Sequence, residues 1–532
     1  MSVVYLPPTI ALKSNWFNLY LNYSDDSYSS TQGFVKFNGS NVFSPLAKFE
    51  VVSANTGTGR VHLRCRANKK FLRRKDSTSV FITPEADEAE EDTAKWGCTL
   101  FEAREVEAGN TTLINLFHVQ SQYYTNAWDV SGIRSLRLNS VGPNFQGRYN
   151  ILDLESMVIL PKHVAFKGTN GKYRKVGATA TSYPTFSSTD KGFSECGFEV
   201  ITDGHGRAQI MSSHTKKYLR LVKGGNFIMA DSTGDTTDLD TMFWPVKFNN
   251  GAVALKSLGI DLFCCQYTLP TWGVTDGLRA LHASINIDAV LTLEELVHER
   301  RIYNTNFDLK NAIIYGETPL TMATANAINN TSKDNTVEFK FTYTESKSTT
   351  WTSSHSWMVG ISVTASFKVP FIGGGEVTAN AEYSGSYEWG ETLESEQTVE
   401  KTYTATVPAN SSINLTAIAT QGTCDVRYSY YQRDLLYNGQ TVIYQKDDGL
   451  CTGINSYNFH IEVTTVKDLG STAESRTVQK IPLPLLSGPT TPLTSTTSTE
   501  QELSEVQFEE WIVQEVPALP LKTNEEGVET IA

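Results

Sequence analysis

What this 532-residue chain lacks narrows its function before any motif is read. It has no run of about 18 apolar residues, which excludes a helical membrane span. Positive charge is short: 58 acidic against 45 basic residues leave a net charge of −13. That balance argues against nucleic acid as a partner and against simple electrostatic adhesion to anionic membranes. The seven cysteines are odd in number and without CxxC spacing, so they read as reduced core thiols rather than a disulfide framework. Residues 1–8 offer neither a basic region nor a continuous apolar core, so no signal peptide is expected and a cytoplasmic or nucleocytoplasmic location is. G-x-S-x-G, H-E-x-x-H, P-loop and dinucleotide motifs are missing, and the nine histidines are scattered. No enzyme activity, cofactor or metal is therefore expected, although a carboxylate pair in a sugar cleft would escape such a search.

What is there is alternation and repetition. Hydrophobic content of 40% and charged content of 19% are globular values, and the length suits three or so domains. The segment Lys48-Phe49-Glu50-Val51 returns as Gly197-Phe198-Glu199-Val200, Lys70-Phe71-Leu72-Arg73 as Lys217-Tyr218-Leu219-Arg220, and Trp96 as Trp244, at offsets of about 148 residues. Each copy contains a shorter echo. Tyr20-Leu21, Phe71-Leu72 and Tyr123-Tyr124 recur in the first, and Tyr173-Arg174, Tyr218-Leu219 and Phe263-Cys264 in the second. Three repeats of about 40–50 residues, each of short strands and Gly/Asn-rich turns, predict a threefold barrel of the β-trefoil type, present twice.

Three segments, Ala11-Leu12-Lys13-Ser14-Asn15, residues 44–51 and Trp96-Gly97-Cys98-Thr99-Leu100-Phe101, resemble the amaranthin family of plant lectins, as do residues 166–173 in the second copy. The resemblance implies two β-trefoils and binding of galactose/N-acetylgalactosamine-type glycans or glycoproteins. It places sugar contacts in a loop after the Phe-Leu-Arg strand. The matching candidates are Lys75, Ser79 and Phe81 in the first copy and Asn226 and Phe227 in the second. The first loop departs from the family by keeping one aromatic, Phe81, where relatives carry several. A second aromatic cluster, Tyr123, Tyr124, Asn126, Trp128 and Asp129, is a further candidate or a packed core.

Beyond about Tyr303 the chain turns Thr/Ser-rich, and residues 357–389 read as an amphipathic hairpin. Trp357, Val359, Ile361, Val363, Ala365, Phe367 and Val369 share one face of its first strand. Val377, Ala379, Ala381 and Tyr383 share one face of its return strand, with Phe371 and Ile372 at a Pro/Gly-rich tip. Lys368, Glu376, Glu382 and Glu388 fall on polar faces, where Lys368 and Glu376, either side of the tip, could pair or mark the far mouth of a barrel. A strand with one apolar and one wet face suits a transmembrane barrel, although any half-buried hairpin alternates too. With its Ser/Thr-rich flanks, this region resembles the aerolysin-type pore-forming domain. That implies an elongated antiparallel domain, self-association into a homo-oligomer, and a membrane-bound state in which Lys368, Glu376, Glu382 and Glu388 line the lumen.

The expected organisation is all-β: trefoils over 1–155 and 156–298, an aerolysin-like domain over 303–488, and an acidic, disordered tail over 489–532 containing Phe508 and Trp511. His298-Glu299-Arg300 reads as a solvated linker. The expected activity is glycan recognition followed by pore formation in a defensive role. The other reading is a lectin whose third domain only oligomerises or serves as scaffold.

Overall fold

The alternation along the chain becomes three sheets in the computed structural model, which describes residues 2–25, 31–177, 183–249, 251–353, 363–467, 475–482 and 494–495. Among these residues every long element is a strand, and the helical turns are all three-residue 3-10 segments. Among the described residues no helix is long and apolar enough to cross a membrane, which says nothing about crossing by strands. Trp357, Val359, Ile361 and the acidic tail with Phe508 and Trp511 lie outside the described residues.

The first two sheets have twelve strands each and close on themselves. Thr9–Ser14 pairs with Arg148–Asp153, and His163–Lys167 pairs with Leu291–Glu295. Closure removes the exposed edges that would invite aggregation. Inside each barrel lies an apolar core, built on Leu12, Leu21, Leu63, Leu72 and Leu116 in the first and on Phe166, Phe198, Leu219, Leu255 and Leu293 in the second.

The short echo has a structural cause. In all six repeats the echoed aromatic ends at a β-bulge: Tyr20/Leu21, Phe71/Leu72, Tyr124/Thr125, Tyr173/Arg174, Tyr218/Leu219 and Phe263/Cys264. The third position is therefore Tyr124-Thr125, one residue later than the sequence suggested. Each bulge follows a tight turn holding one residue at positive φ: Asn18, Lys69, Gln122, Gly171, Lys216 and Asp261. Bulges turn the strand so that the next side chain enters the core, where Leu21, Leu72 and Leu219 are fully buried. Trp96 and Trp244 are not equivalent after all. The matched pairings are Val61 with Phe101 and Ala208 with Phe243, so Phe101 corresponds to Phe243.

The third sheet has ten strands and begins at Val297–Phe307. His298-Glu299-Arg300 is strand rather than linker, and Arg300 is buried in a triad with Glu295 (2.5 Å) and Asp434 (2.8 Å). Two strands of 26 and 27 residues, Ser411–Leu436 and Thr441–Lys467, form its spine. Asn335–Thr352 and Thr392–Val407 pair with one another over sixteen positions, from Asn335↔Val407 to Thr350↔Thr392, confirming the long flanking strands. The hairpin lies between the ends of this ribbon.

Polar contacts seat the barrels on the third sheet. Lys69 donates to Asp425 at 2.7 Å, and its ammonium lies 4.9 Å from the Tyr315 ring centroid. Asp425 also accepts from Thr452 at 2.7 Å. From the second barrel, His163 Nε2 meets the Tyr444 hydroxyl at 2.8 Å.

Candidate functional site

The hairpin comprises Val363–Gly373 and Glu376–Tyr387, joined by Gly374 and Gly375. Both glycines have positive φ (64° and 88°), as a two-residue hairpin turn requires. The first strand thus runs through Pro370, Phe371 and Ile372, which the sequence had assigned to the turn. A register shift between Val369/Pro370 pairs Val369 with Ala381 but Pro370 with Ala379, leaving Asn380 as the extra residue of a bulge. Directly paired residues share a face. Tyr383 therefore shares the face of Val369, whereas Val377 and Ala379 join Ile372 and Pro370 on the face of Lys368. The bulge also separates the charges. Lys368 pairs with Glu382, while Glu376 pairs with Gly373 on the opposite face, so the expected proximity of Lys368 and Glu376 does not form. The side chains of Phe367, Ala381 and Glu382 lie outside the described set; Lys368, Glu376 and Glu388 are exposed.

The apolar face is covered. Val363, Ala365, Val369, Phe371, Tyr383 and Tyr387 pack on Trp351, Leu393, Tyr428, Tyr430 and Cys451. Ile372 faces the other way, against Cys424, Val426 and Tyr457, so the tip is buried on both sides. Among the described residues the main chain of the hairpin meets the rest of the sheet in one short parallel register, Arg300↔Val363 to Ile302↔Ala365. Side chains hold the remainder. Asn455 Oδ1 accepts from the Ile372 N–H at 2.9 Å, and its Nδ2 donates to the Ile372 carbonyl at 2.8 Å. At the other end the Tyr387 hydroxyl accepts from the Trp351 N–H at 2.9 Å and donates to the Trp351 carbonyl at 2.7 Å. Beneath the tip two glycines make room. A Cβ on Gly453 would sit 3.0 Å from the Pro370 carbonyl oxygen, and one on Gly422 would sit 3.1 Å from Ile372 Cδ1. Sequence reading missed Asn455, Gly422 and Gly453, because nothing local marks them.

The loop over residues 75–81 is ordered by its own polar groups. Asp76 Oδ1 accepts from Thr78 N–H (2.8 Å) and Ser79 N–H (2.7 Å), and Arg74 donates to the Ser77 carbonyl at 2.7 Å. These bonds hold the exposed Asp76 carboxyl below its ordinary range. Lys75 is exposed, with its ammonium 4.5 Å from the Phe34 ring centroid. Ser79 Oγ accepts from the Phe81 N–H at 3.1 Å. Phe81 is half-buried between Phe34, at 5.2 Å, and the Arg137 guanidinium, at 4.3 Å.

The second barrel repeats this arrangement with Phe227 against Tyr183 (5.2 Å) and Arg279 (5.5 Å). Phe227 is 1% exposed, so it caps the barrel and offers no face to a sugar. Asn226 adopts φ 57° and spends its N–H and C=O on Val222 and Ala280. Trp272, 47% exposed, lies against Gly225, where a Cβ would come within 2.3 Å of the indole. It is the exposed aromatic of this loop, and the Pro270-Thr271-Trp272-Gly273 turn was its available signal. The structure thus brings Lys75, Ser79 and Phe81 together but buries Phe227 against Tyr183 and Arg279.

Residues 4–139 match the agglutinin domain family, and residues 300–440 match the aerolysin toxin family. The chain joins an agglutinin domain to an aerolysin-type domain. No curated protein matches it. Among solved structures it is similar to the lamprey immune protein at 14% identity and TM-score 0.28, covering 58% of this chain and 91% of that one. A mosquitocidal holotoxin is similar at 10% identity and TM-score 0.27, over 57% of this chain and 36% of the toxin. The designed threefold protein ThreeFoil is similar at 12% identity and TM-score 0.23, over 28% and 99%.

Proposed function

We propose that this chain is a lectin that docks on galactose/N-acetylgalactosamine-type glycans, assembles into a homo-oligomer and inserts its 363–387 hairpin into the bound membrane, in a defensive role. The observation that carries the reading is the hairpin's attachment. Two arms of 11 and 12 residues, each long enough for the roughly 9–11 residues a barrel strand needs, are held mainly by side chains at the mouth of a paired ribbon. Swinging out would continue that ribbon. A lone hairpin leaves edge N–H and C=O groups unpaired in lipid, so insertion requires neighbouring subunits to close a barrel. Glycan docking concentrates subunits and lowers the entropic cost of assembly. Lys368 and Glu382 would offset one another across the lumen wall and leave Glu388 to favour cations.

The test is dye release from glycan-bearing vesicles by wild type and by an Arg301→Cys/Thr364→Cys variant, whose residues pair across the parallel register. Release by wild type, abolished once mass spectrometry shows the disulfide and restored by reductant, supports the reading. Release by the tethered protein overturns hairpin insertion. No release by a wild type that binds glycan leaves a non-lytic lectin on a β scaffold.

A further inference from the structure

Of the six bulge-leading turns in the two barrels, one carries an exposed aromatic pair. Trp16, in the turn before Tyr20, meets Phe145 at 5.5 Å with planes inclined 76°, and both stay about half exposed, at 49% and 46%. The equivalent corners are spent otherwise. Lys69 of the second turn is sealed in its ion pair with Asp425. In the second barrel, Thr169 and Asn170 hydrogen-bond Gln266, and Ile287 takes the place of Phe145 at the start of the matching 3-10 turn. Asn144 and Asn286 cap these two turns identically, which fixes the equivalence.

Polar donors surround the pair. The Arg148 guanidinium lies 5.7 Å from the Phe145 centroid and has no carboxylate partner among the described residues. Arg134 lies over Phe17 at 5.0 Å and is tied to Asp129 at 3.2 Å, which fixes the floor of the corner. Asn18 is exposed in the same turn, held at φ 56° by its N–H bond to the Ser14 carbonyl.

We propose that the Trp16–Phe145 corner is a pyranose-binding subsite of the agglutinin domain, separate from the 75–81 loop. An indole face receives the apolar C–H face of a sugar ring, while amide and guanidinium donors engage its hydroxyls. Core packing does not account for the pair, since half of each ring is left in water. The proposal rests on the glycan-docking reading above.

The full-length chain is tested on a printed panel of galactose-, N-acetylgalactosamine-, uronate- and sialate-terminated glycans. Wild type is compared with Trp16→Ala/Phe145→Ala, with Trp16→Tyr, and with Lys75→Ala/Ser79→Ala. Circular dichroism and thermal unfolding check that each variant is folded. The expected result is a loss of about tenfold or more on a subset of glycans for Trp16→Ala/Phe145→Ala. Trp16→Tyr should retain most of that binding, and the loop variant should lose a different subset of glycans. Should the corner variant fail to fold, Trp16→Tyr and Arg148→Ala carry the test, with Arg148→Ala expected to weaken the same subset. Unchanged binding by the corner variants overturns the subsite and leaves lectin activity standing. No binding by wild type overturns both. Weaker attachment of the corner variant to glycan-free phosphatidylcholine vesicles, with glycan binding intact, assigns the corner to the membrane and overturns the proposal.

Discussion

Replacing Asn455 with alanine should loosen the hairpin tip without unfolding the sheet that carries it. Asn455 is 2% exposed, and its amide stands in for a neighbouring strand by pairing with both main-chain groups of Ile372. Removing it leaves a buried N–H and a buried carbonyl unpaired, at a cost of about 1–3 kcal/mol each before water enters. Taking about 2 kcal/mol as the net penalty after relaxation, opening of the tip should become roughly thirtyfold more frequent. Native-state hydrogen exchange read by mass spectrometry measures this directly. Amides of residues 371–377 should exchange roughly thirtyfold faster, while the two barrels and the long central strands keep wild-type rates. In the vesicle assay the variant should release dye with a shorter lag. The reasoning fails if exchange over 363–387 is unchanged. It also fails if exchange rises uniformly over 297–467, because Asn455 would then support the sheet rather than pin the hairpin.

Gly453→Ala should act on the same seat by another route: its Cβ would press on the Pro370 carbonyl at 3.0 Å and on Cys424 Sγ at 3.1 Å, so protease cleavage at Gly374-Gly375 should accelerate while thermal unfolding of the barrels is unchanged. Lys69→Met removes the cation facing Asp425, whose side chain is 7% exposed, and should loosen the first barrel from the third sheet by about 3 kcal/mol, seen as an earlier calorimetric transition. Arg174 is 1% exposed at the core position held by Leu21, Leu72 and Leu219 elsewhere, and burial pushes its guanidinium down to about 9. A base whose folded value is depressed destabilises the fold at neutral pH, and stability returns as pH rises from about 9 toward the unfolded value. Arg174→Leu should therefore raise the melting temperature at pH 7, and the gain should shrink by pH 10; a gain independent of pH would contradict the account.

Much of this architecture was legible because it is written in short-range patterns. Alternation marked the arms of the hairpin and its flanking strands, and the aromatic echo marked the bulged positions of the barrels, since a bulge constrains the residues beside it. Three things were not legible. The bulge at Asn380, which sends Val377 and Ala379 to the face opposite Tyr383, leaves no local signature in a Thr/Ala/Asn run. The seat of the tip is built from residues distant in sequence: Asn455 is 83 positions from Ile372. The sugar loops misled for a related reason. Phe227 has the spacing of an exposed aromatic, yet Tyr183 and Arg279 close over it from the other two hairpins of the barrel, and no periodicity reports that closure.

The manner of attachment also bears on how release would proceed. A hairpin zipped along its whole length to a neighbouring strand would have to break a full ladder of main-chain hydrogen bonds before any replacement formed. Among the described residues the parallel register with the 297–307 strand covers Arg300 to Ile302, and beyond it the Asn455 amide bonds the main chain of the tip over a glycine floor. The cost of detachment is thereby concentrated in apolar contact with Trp351, Tyr428 and Tyr430, a surface that lipid can replace. Main-chain groups freed at the hairpin edge are the part that lipid cannot satisfy. On the proposed reading, detachment by a single subunit in water carries the full cost of that apolar contact, and insertion waits on lipid and a second hairpin to replace what is lost.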